Sequence, residues 1–240
     1  LFRSDASVDL VLSDLPYGID QFEVQSGGEN HISKFDDSKE TVLPAIEALI
    51  PELIRITKSD GWICLFMSYE FHGWLMEQFR KHGLNPELPP WVWARHNQPG
   101  NYGHYPTLHA ANRYEMIVVV NRGSAMFVKK PLENVLAFAS LTKEEKVHNH
   151  QKPHELIREL ISRFTVPGEL VVDVCFGSGA HLAAAADMGR EFLGCEKNPV
   201  MLDAALVNVS QYYRTSDFGR GGAGGNSSNG TQPLAESVGA

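Results

Sequence analysis

The chain lacks the features that mark a secreted or membrane-embedded protein. No run approaches the ~18 apolar residues of a bilayer-spanning helix, and no basic-apolar-small segment opens the sequence. Cysteine is scarce. Cys64, Cys175 and Cys195 are odd in number, lie in apolar stretches and lack metal-ligand spacing. That argues against a disulfide framework or a bound metal and for buried free thiols in a reducing, cytoplasmic setting. Positive charge is also short: 21 Lys and Arg stand against 29 Asp and Glu, a net charge of −8. There is no internal repeat. What remains is 240 residues, 43% apolar and 21% charged, suited to one globular domain with a sizeable core.

The net charge hides a gradient. Residues 1–79 sum to −9, residues 80–152 to +5 with six of the ten histidines, and residues 153–240 to −4. A basic middle between acidic ends could present one face to a polyanion, and equally could be scattered solvated charge. From Thr215 onward the sequence holds 7 of the 21 glycines and little that is apolar, so 215–240 reads as a flexible Gly/Ser-rich tail behind a domain of residues 1–214.

Within that domain strand-like and helix-like segments alternate. Strands are expected at 8–13 (VDLVLS), 61–67 (GWICLFM), 90–95, 115–121 (EMIVVVN), 170–175 (LVVDVC) and 192–195. Helices are expected over 42–54, kinked at Pro51, over 70–82, along the stripe from Leu156 to Phe164, from Ala180, and from Pro199 behind an Asn198 cap. Such alternation implies an α/β fold with a mostly parallel sheet covered by helices on both faces. The two strands after residue 88 are expected to form an antiparallel pair. Trp62, Trp91 and Trp93 fall on strands and read as core. His31, His72, His104 and His109 have no ligand spacing and read as loop or surface residues.

Two turns carry candidate chemistry. Asp173-Val174-Cys175-Phe176-Gly177-Ser178-Gly179 joins a buried strand to a helix. Its glycines would let a ligand approach the backbone at a helix N-terminus. Glu196, 23 residues after Asp173, closes the next strand where a carboxylate could accept ribose hydroxyls. Leu182 stands where a dinucleotide turn would carry a third glycine, which favours a nucleoside-type cofactor. A plain strand-helix turn explains the same residues. The second turn, Asp14-Leu15-Pro16-Tyr17, follows the first strand. It reads either as an acidic turn or as a device for a poor nucleophile, an exocyclic amino group whose lone pair is delocalised into a base. A carboxylate and a main-chain carbonyl could accept its two hydrogens while an aromatic ring stacks on the extruded base.

Together these pieces resemble the DNA amino-methyltransferases, which use S-adenosylmethionine to modify adenine N6 or cytosine N4. The resemblance rests on DLPYG (14–18), KSDGWICLF (58–66), RYEMIVVV (113–120), HNHQKP (148–153), VVDVCFGSG (171–179) and GREFLGCEKNP (189–199). The tetrapeptide precedes the cofactor turn, as in the circularly permuted beta-type group, which places a target-recognition segment at about residues 121–150. The resemblance implies a three-layer Rossmann-like methyltransferase fold. It implies that the tetrapeptide Asp14, Leu15, Pro16 and Tyr17 is catalytic, with Asp14 and the Leu15 carbonyl holding the target amino group and Tyr17 stacking on the base. It assigns Asp173, Cys175, Phe176, Gly177, Ser178 and Gly179 to the cofactor turn and Glu196 to the ribose. Lys152, Pro153 and His148 would flank the methionine end. Aspartate at position 14 is the adenine-type choice.

Lys129, Lys130, Lys143 and Lys146, in the basic stretch, read as phosphate contacts to double-stranded DNA or as solvated lysines. Leu15 replaces the family's first proline, and Phe176 stands one place later than the family's aromatic. Members usually carry an edge strand upstream of the tetrapeptide strand, and a chain opening at Leu1 is expected to lack it. The implied activity is site-specific transfer to adenine N6, as in restriction-modification. Cytosine N4 and a DNA-binding relic without cofactor are the alternatives. The sequence does not decide between a monomer and a homodimer, or whether a restriction partner exists.

Overall fold

The computed structural model describes residues 4–18, 37–96, 112–130, 133–142 and 151–210. The 215–240 tail, Lys143, Lys146, His148, His31, His104 and His109 lie outside the described residues.

Seven strands form one sheet: β1 (Val8–Asp14), β2 (Thr57–Met67), β3 (Trp91–Arg95), β4 (Tyr114–Asn121), β5 (Val135–Phe138), β6 (Leu170–Asp173) and β7 (Glu191–Gly194). Their spatial order is β5-β3-β4-β2-β1-β6-β7. Four neighbouring pairs are parallel, and β4 runs antiparallel to both β2 and β3. The α/β class, the mostly parallel sheet and the antiparallel pair after residue 88 are therefore as expected. Beyond β7 no described residue adds a strand, and the seventh strand is instead β5 at the opposite edge.

Alternation along the strands separates the two cores. Val11, Ile63, Leu65, Val118, Val120 and Val172 point to one face, under helices α1 (Lys39–Ile56) and α2 (His72–Lys81). Leu10, Leu12, Trp62, Cys64, Phe66, Ile117, Val119 and Val171 point to the other, under α3 (His154–Phe164) and α4 (Ala180–Asp187). The central strands are apolar on both faces, which is why they read as continuous runs. On the second face Phe127 stacks on Trp62 with ring centroids 4.5 Å apart, and Phe164 tilts against both. A third cluster joins α4 to α5 (Pro199–Ser210) through Phe176, Leu182, Ala183, Ala205 and Val209.

Four details differ from the sequence reading. Helix α1 continues through both Pro44 and Pro51 as one element. Burial of Val42, Ile46, Ile50, Leu53 and Ile56 along a single face offsets the lost backbone bonds. Strand β5 was not expected: it is short, and Val135 and Ala137 face solvent, so it carries little apolar signal. His72 is buried in α2 rather than at the surface. Of the three free thiols only Cys64 is fully buried, while Cys175 is half-buried and Cys195 exposed.

Candidate active site

Strands β1 and β6 lie side by side and parallel, with Leu10 opposite Val171 and Val11 opposite Val172. From β1 the chain moves to β2 on one side, and from β6 to β7 on the other. Their carboxyl ends thus flank a topological switch point, where open α/β sheets form a crevice. The tetrapeptide leaves β1 at this edge and the glycine turn leaves β6 beside it. A buried hydrogen bond joins the two, from Ser13 Oγ to Asp173 Oδ1 at 2.6 Å.

On the β6 side, Asp173 is spent inside the protein. Oδ1 also accepts the Cys175 N–H at 3.0 Å, and Oδ2 lies 2.7 Å from Nδ1 of the buried His181 on α4. Asp173 therefore braces the turn from within. Gly177 and Gly179 have φ of +49° and +76°, backbone that side chains rarely adopt. At Gly179 an added Cβ would stand 2.8 Å from that of Ala205, whereas at Gly177 it would meet nothing within 4 Å. The turn so packs tightly behind and opens in front. Glu196 spans it: Oε2 accepts the Gly177 N–H at 2.9 Å and Oε1 the Asn198 N–H at 2.8 Å. Ser178 is buried at the head of α4, whose first-turn amides have no partner within the helix. Phe176 is turned into the α4–α5 cluster. Burial, with Asp173 nearby, pushes the half-buried Cys175 thiol well above its ordinary range.

On the β1 side, the Leu15 side chain is anchored in the core and Tyr17 packs against the second core. Lys152, which sequence similarity groups with the cofactor, is placed against the tetrapeptide. Only 4% of its side chain is exposed, and its ammonium pairs with Asp14 Oδ2 and with Glu115 Oε2 at 3.1 Å. The same ammonium lies 5.0 Å from the Phe66 ring centroid and 5.6 Å from that of Tyr17. Pro153 follows it as the extended residue that opens α3. Burial would strip the Lys152 proton, but the carboxylates of Asp14 and Glu115 outweigh it and raise its affinity for that proton. The Tyr17 hydroxyl donates to Glu115 Oε2 at 2.8 Å. Burial first, then the two carboxylates, hold its phenol well above the usual tyrosine range.

Asp14 Oδ1 is different. It has no hydrogen-bond partner among the described residues. An unpaired acceptor of this kind costs about 1–3 kcal/mol, and a site built to receive an N–H donor tolerates that cost.

Glu115 was missed as a site residue. The signal was available: it is the one carboxylate in the otherwise apolar run YEMIVVV. His181 left a similar mark as the one polar residue among the apolar positions 180–186 of α4. Of the basic residues assigned to phosphate, Lys129 is exposed and pairs with Glu159 on α3 at 2.6 Å, and Lys130 is exposed. The stretch 121–142 also supplies β5 and Phe127 to the fold.

A family model described as DNA methylase (N6/N4 type) matches residues 8–207. The chain belongs to this DNA methylase family. A curated relative, the type II methyltransferase M.HinfI of Haemophilus influenzae, is 25% identical over 230 residues, covering 83% of this chain. The chain spans 62% of that protein's length. Among solved structures, the M1.HpyAVI–SAM complex superposes with a TM-score of 0.64 at 20% identity, covering 85% of this chain and 89% of that one. The PvuII cytosine-N4-specific DNA methyltransferase superposes at 0.68 with 13% identity, covering 88% and 86%. Both structures share the fold of this chain. Among its described residues no group could hold a metal ion, and no helix is long and apolar enough to cross a membrane.

Proposed function

We propose that this DNA methylase transfers a methyl group from S-adenosylmethionine to adenine N6 in double-stranded DNA, the base being flipped out of the duplex. The observation that carries the reading is the Ser13–Asp173 hydrogen bond. It fastens the glycine turn to a tetrapeptide whose carboxylate keeps one oxygen unpaired among the described residues.

The residues present fit the cofactor. Gly177 leaves open space before the turn, the head of α4 suits a carboxylate, and each Glu196 oxygen keeps a lone pair for a ribose hydroxyl. Cys175, Phe176, Ser178 and Gly179 wall the turn, Asp173 braces it, and Pro153 is assigned to the methionine end together with His148, which lies outside the described residues. When bound, the cofactor supplies an electrophilic methyl group on a sulfonium.

Asp14 Oδ1 and the Leu15 carbonyl accept the two amino hydrogens and draw the nitrogen lone pair out of the ring. Pro16 fixes the turn between them, and Tyr17 stacks on the base. Stacking of about 1–3 kcal/mol offsets part of the cost of extrusion, a few kcal/mol. Holding the reacting atoms roughly 3 Å apart and in line supplies much of the acceleration. The surplus proton on the methylated nitrogen passes to solvent, so Asp14 serves as an acceptor and not as a strong base.

The order tetrapeptide, Lys152-Pro153, glycine turn supports the beta-type permuted arrangement within a methyltransferase domain of residues 1–214 ahead of the 215–240 tail. A recognition segment at 121–150 would bring Lys129, Lys130, Lys143 and Lys146 to phosphates. The likeness to a cytosine-N4-specific fold favours cytosine N4 as the second reading. Labelled S-adenosylmethionine is incubated with mixed-sequence duplex DNA, followed by nucleoside analysis. N6-methyladenine supports the proposal, and N4-methylcytosine moves the target base. No labelled nucleoside together with no saturable cofactor binding overturns it in favour of a relic.

A further inference from the structure

We infer that Glu115 is a positioning residue for transfer, holding Tyr17 and Lys152 so that Asp14 keeps its Oδ1 for the target amino group. The inference rests on the methyl-transfer reading.

Glu115 belongs to β4, two strands away from the tetrapeptide, and is fixed in the β3–β4 ladder opposite Trp93. Asp14 closes β1 opposite Phe66 of β2, and Tyr17 lies in the turn beyond it, outside the ladder. One Glu115 oxygen, Oε2, takes the Tyr17 hydroxyl at 2.8 Å and faces the Lys152 ammonium at 3.1 Å. The other, Oε1, faces Arg95 of β3 at 3.6 Å. Burial would push the Glu115 carboxyl up, but Lys152, the Tyr17 hydroxyl and Arg95 together hold it below the ordinary carboxylate range.

Two consequences follow from this geometry. The hydrogen bond at the far tip of Tyr17 sets the plane that the ring offers to a base. The charge of Glu115 divides the Lys152 ammonium between two carboxylates, which keeps it on the Oδ2 side of Asp14. Without Glu115, the ammonium is free to bridge both Asp14 oxygens, and the acceptor reserved for the substrate is lost. The groups facing Lys152 are Asp14 from β1, Tyr17 from the following turn, Phe66 from β2 and Glu115 from β4, with Arg95 behind Glu115.

The test compares parent, Glu115→Gln and Glu115→Ala on methylatable DNA. Expected is a kcat lowered about 10- to 100-fold, more in the alanine variant, with S-adenosylmethionine affinity and KM for DNA within about twofold of the parent. Unchanged cofactor affinity also certifies the fold. In both variants the alkaline limb of kcat moves to lower pH, because the ammonium has lost one of the two carboxylates that retain its proton. A merely structural glutamate would leave that limb in place. A parent that methylates while both variants match its kcat and limb refutes this inference alone. A parent that methylates no DNA refutes the reading beneath it, and this inference with it.

Discussion

Replacing Lys152 by Met removes a single cation from between two carboxylates and keeps an unbranched side chain one atom shorter. The ammonium stands 3.1 Å from Glu115 and contacts Asp14, whose side chains are only 18% and 21% exposed. At an effective dielectric of about 20, a unit-charge pair at that distance attracts by about 5 kcal/mol. Part of this is offset because the lysine no longer has to be desolvated, so the net loss is taken from broken buried pairs, about 3–5 kcal/mol. For a domain of this size that lowers Tm by roughly 6–20 °C. The sign with pH is fixed by Glu115. In the parent its carboxyl is held below the ordinary range, so it contributes stability above the unfolded carboxylate pKa, and that contribution fades as pH falls through the folded value. In Lys152→Met, burial and the facing Asp14 push the same carboxyl above its unfolded value, and the variant recovers stability as pH falls. The gap between the two proteins should therefore be widest near pH 7 and narrow towards about pH 4. Thermal melts by circular dichroism across that range read it directly. A Tm within about 2 °C of the parent at pH 7, or a gap that stays constant with pH, would refute charge compensation as the role of Lys152.

Asp14→Ala should abolish methyl transfer while leaving S-adenosylmethionine affinity within about twofold, since in the proposed mode Asp14 takes the target amino group and the glycine turn takes the cofactor; transfer at the parent rate, measured with labelled cofactor, would exclude it as the acceptor. Gly179→Ala should cost at least about 2 kcal/mol in urea unfolding, because it combines a left-handed backbone with a methyl group 2.8 Å from the Ala205 Cβ. Thiol titration of the native protein should label Cys195 first and leave Cys64 untouched until denaturant is added, since burial pushes the Cys64 thiol far up; rapid labelling of Cys64 would contradict its place in the core.

Legibility in the sequence followed burial on two faces. Strands β1, β2, β4 and β6 were readable because helices cover both sides of the sheet and force continuous apolar runs. Strand β5 escaped because an edge strand with two exposed residues out of four needs no such run. The continuity of α1 through Pro51 escaped for the opposite reason: five buried apolar residues overrule a local cost that the sequence displays plainly. The tetrapeptide and the glycine turn were legible as local patterns. The placement of Lys152 against Asp14 was not, because 138 residues separate them and only the sheet order brings them together. Charged residues inside apolar strands, Glu115 above all, were the remaining clue.

The position of the site depends on the ladder between β1 and β6 and not on the order in which the chain visits them. A tetrapeptide that comes first and a glycine turn that comes about 160 residues later meet because two four- to seven-residue strands are hydrogen-bonded neighbours. Ser13 and Asp173 then lock the ends of those strands to each other with a buried bond that has no competitor in water. Between the two strand ends the protein divides its carboxylates by use. Asp173 is saturated from within and holds shape, Glu196 ties the turn to the head of α5, and Asp14 alone keeps an oxygen unpaired among the described residues of this edge. A fold that needed these acids only for stability would gain by pairing Asp14 as fully as Asp173. Lys152 is placed close enough to do so and instead shares its charge with Glu115, and that arrangement makes physical sense where the free oxygen is meant for a substrate hydrogen.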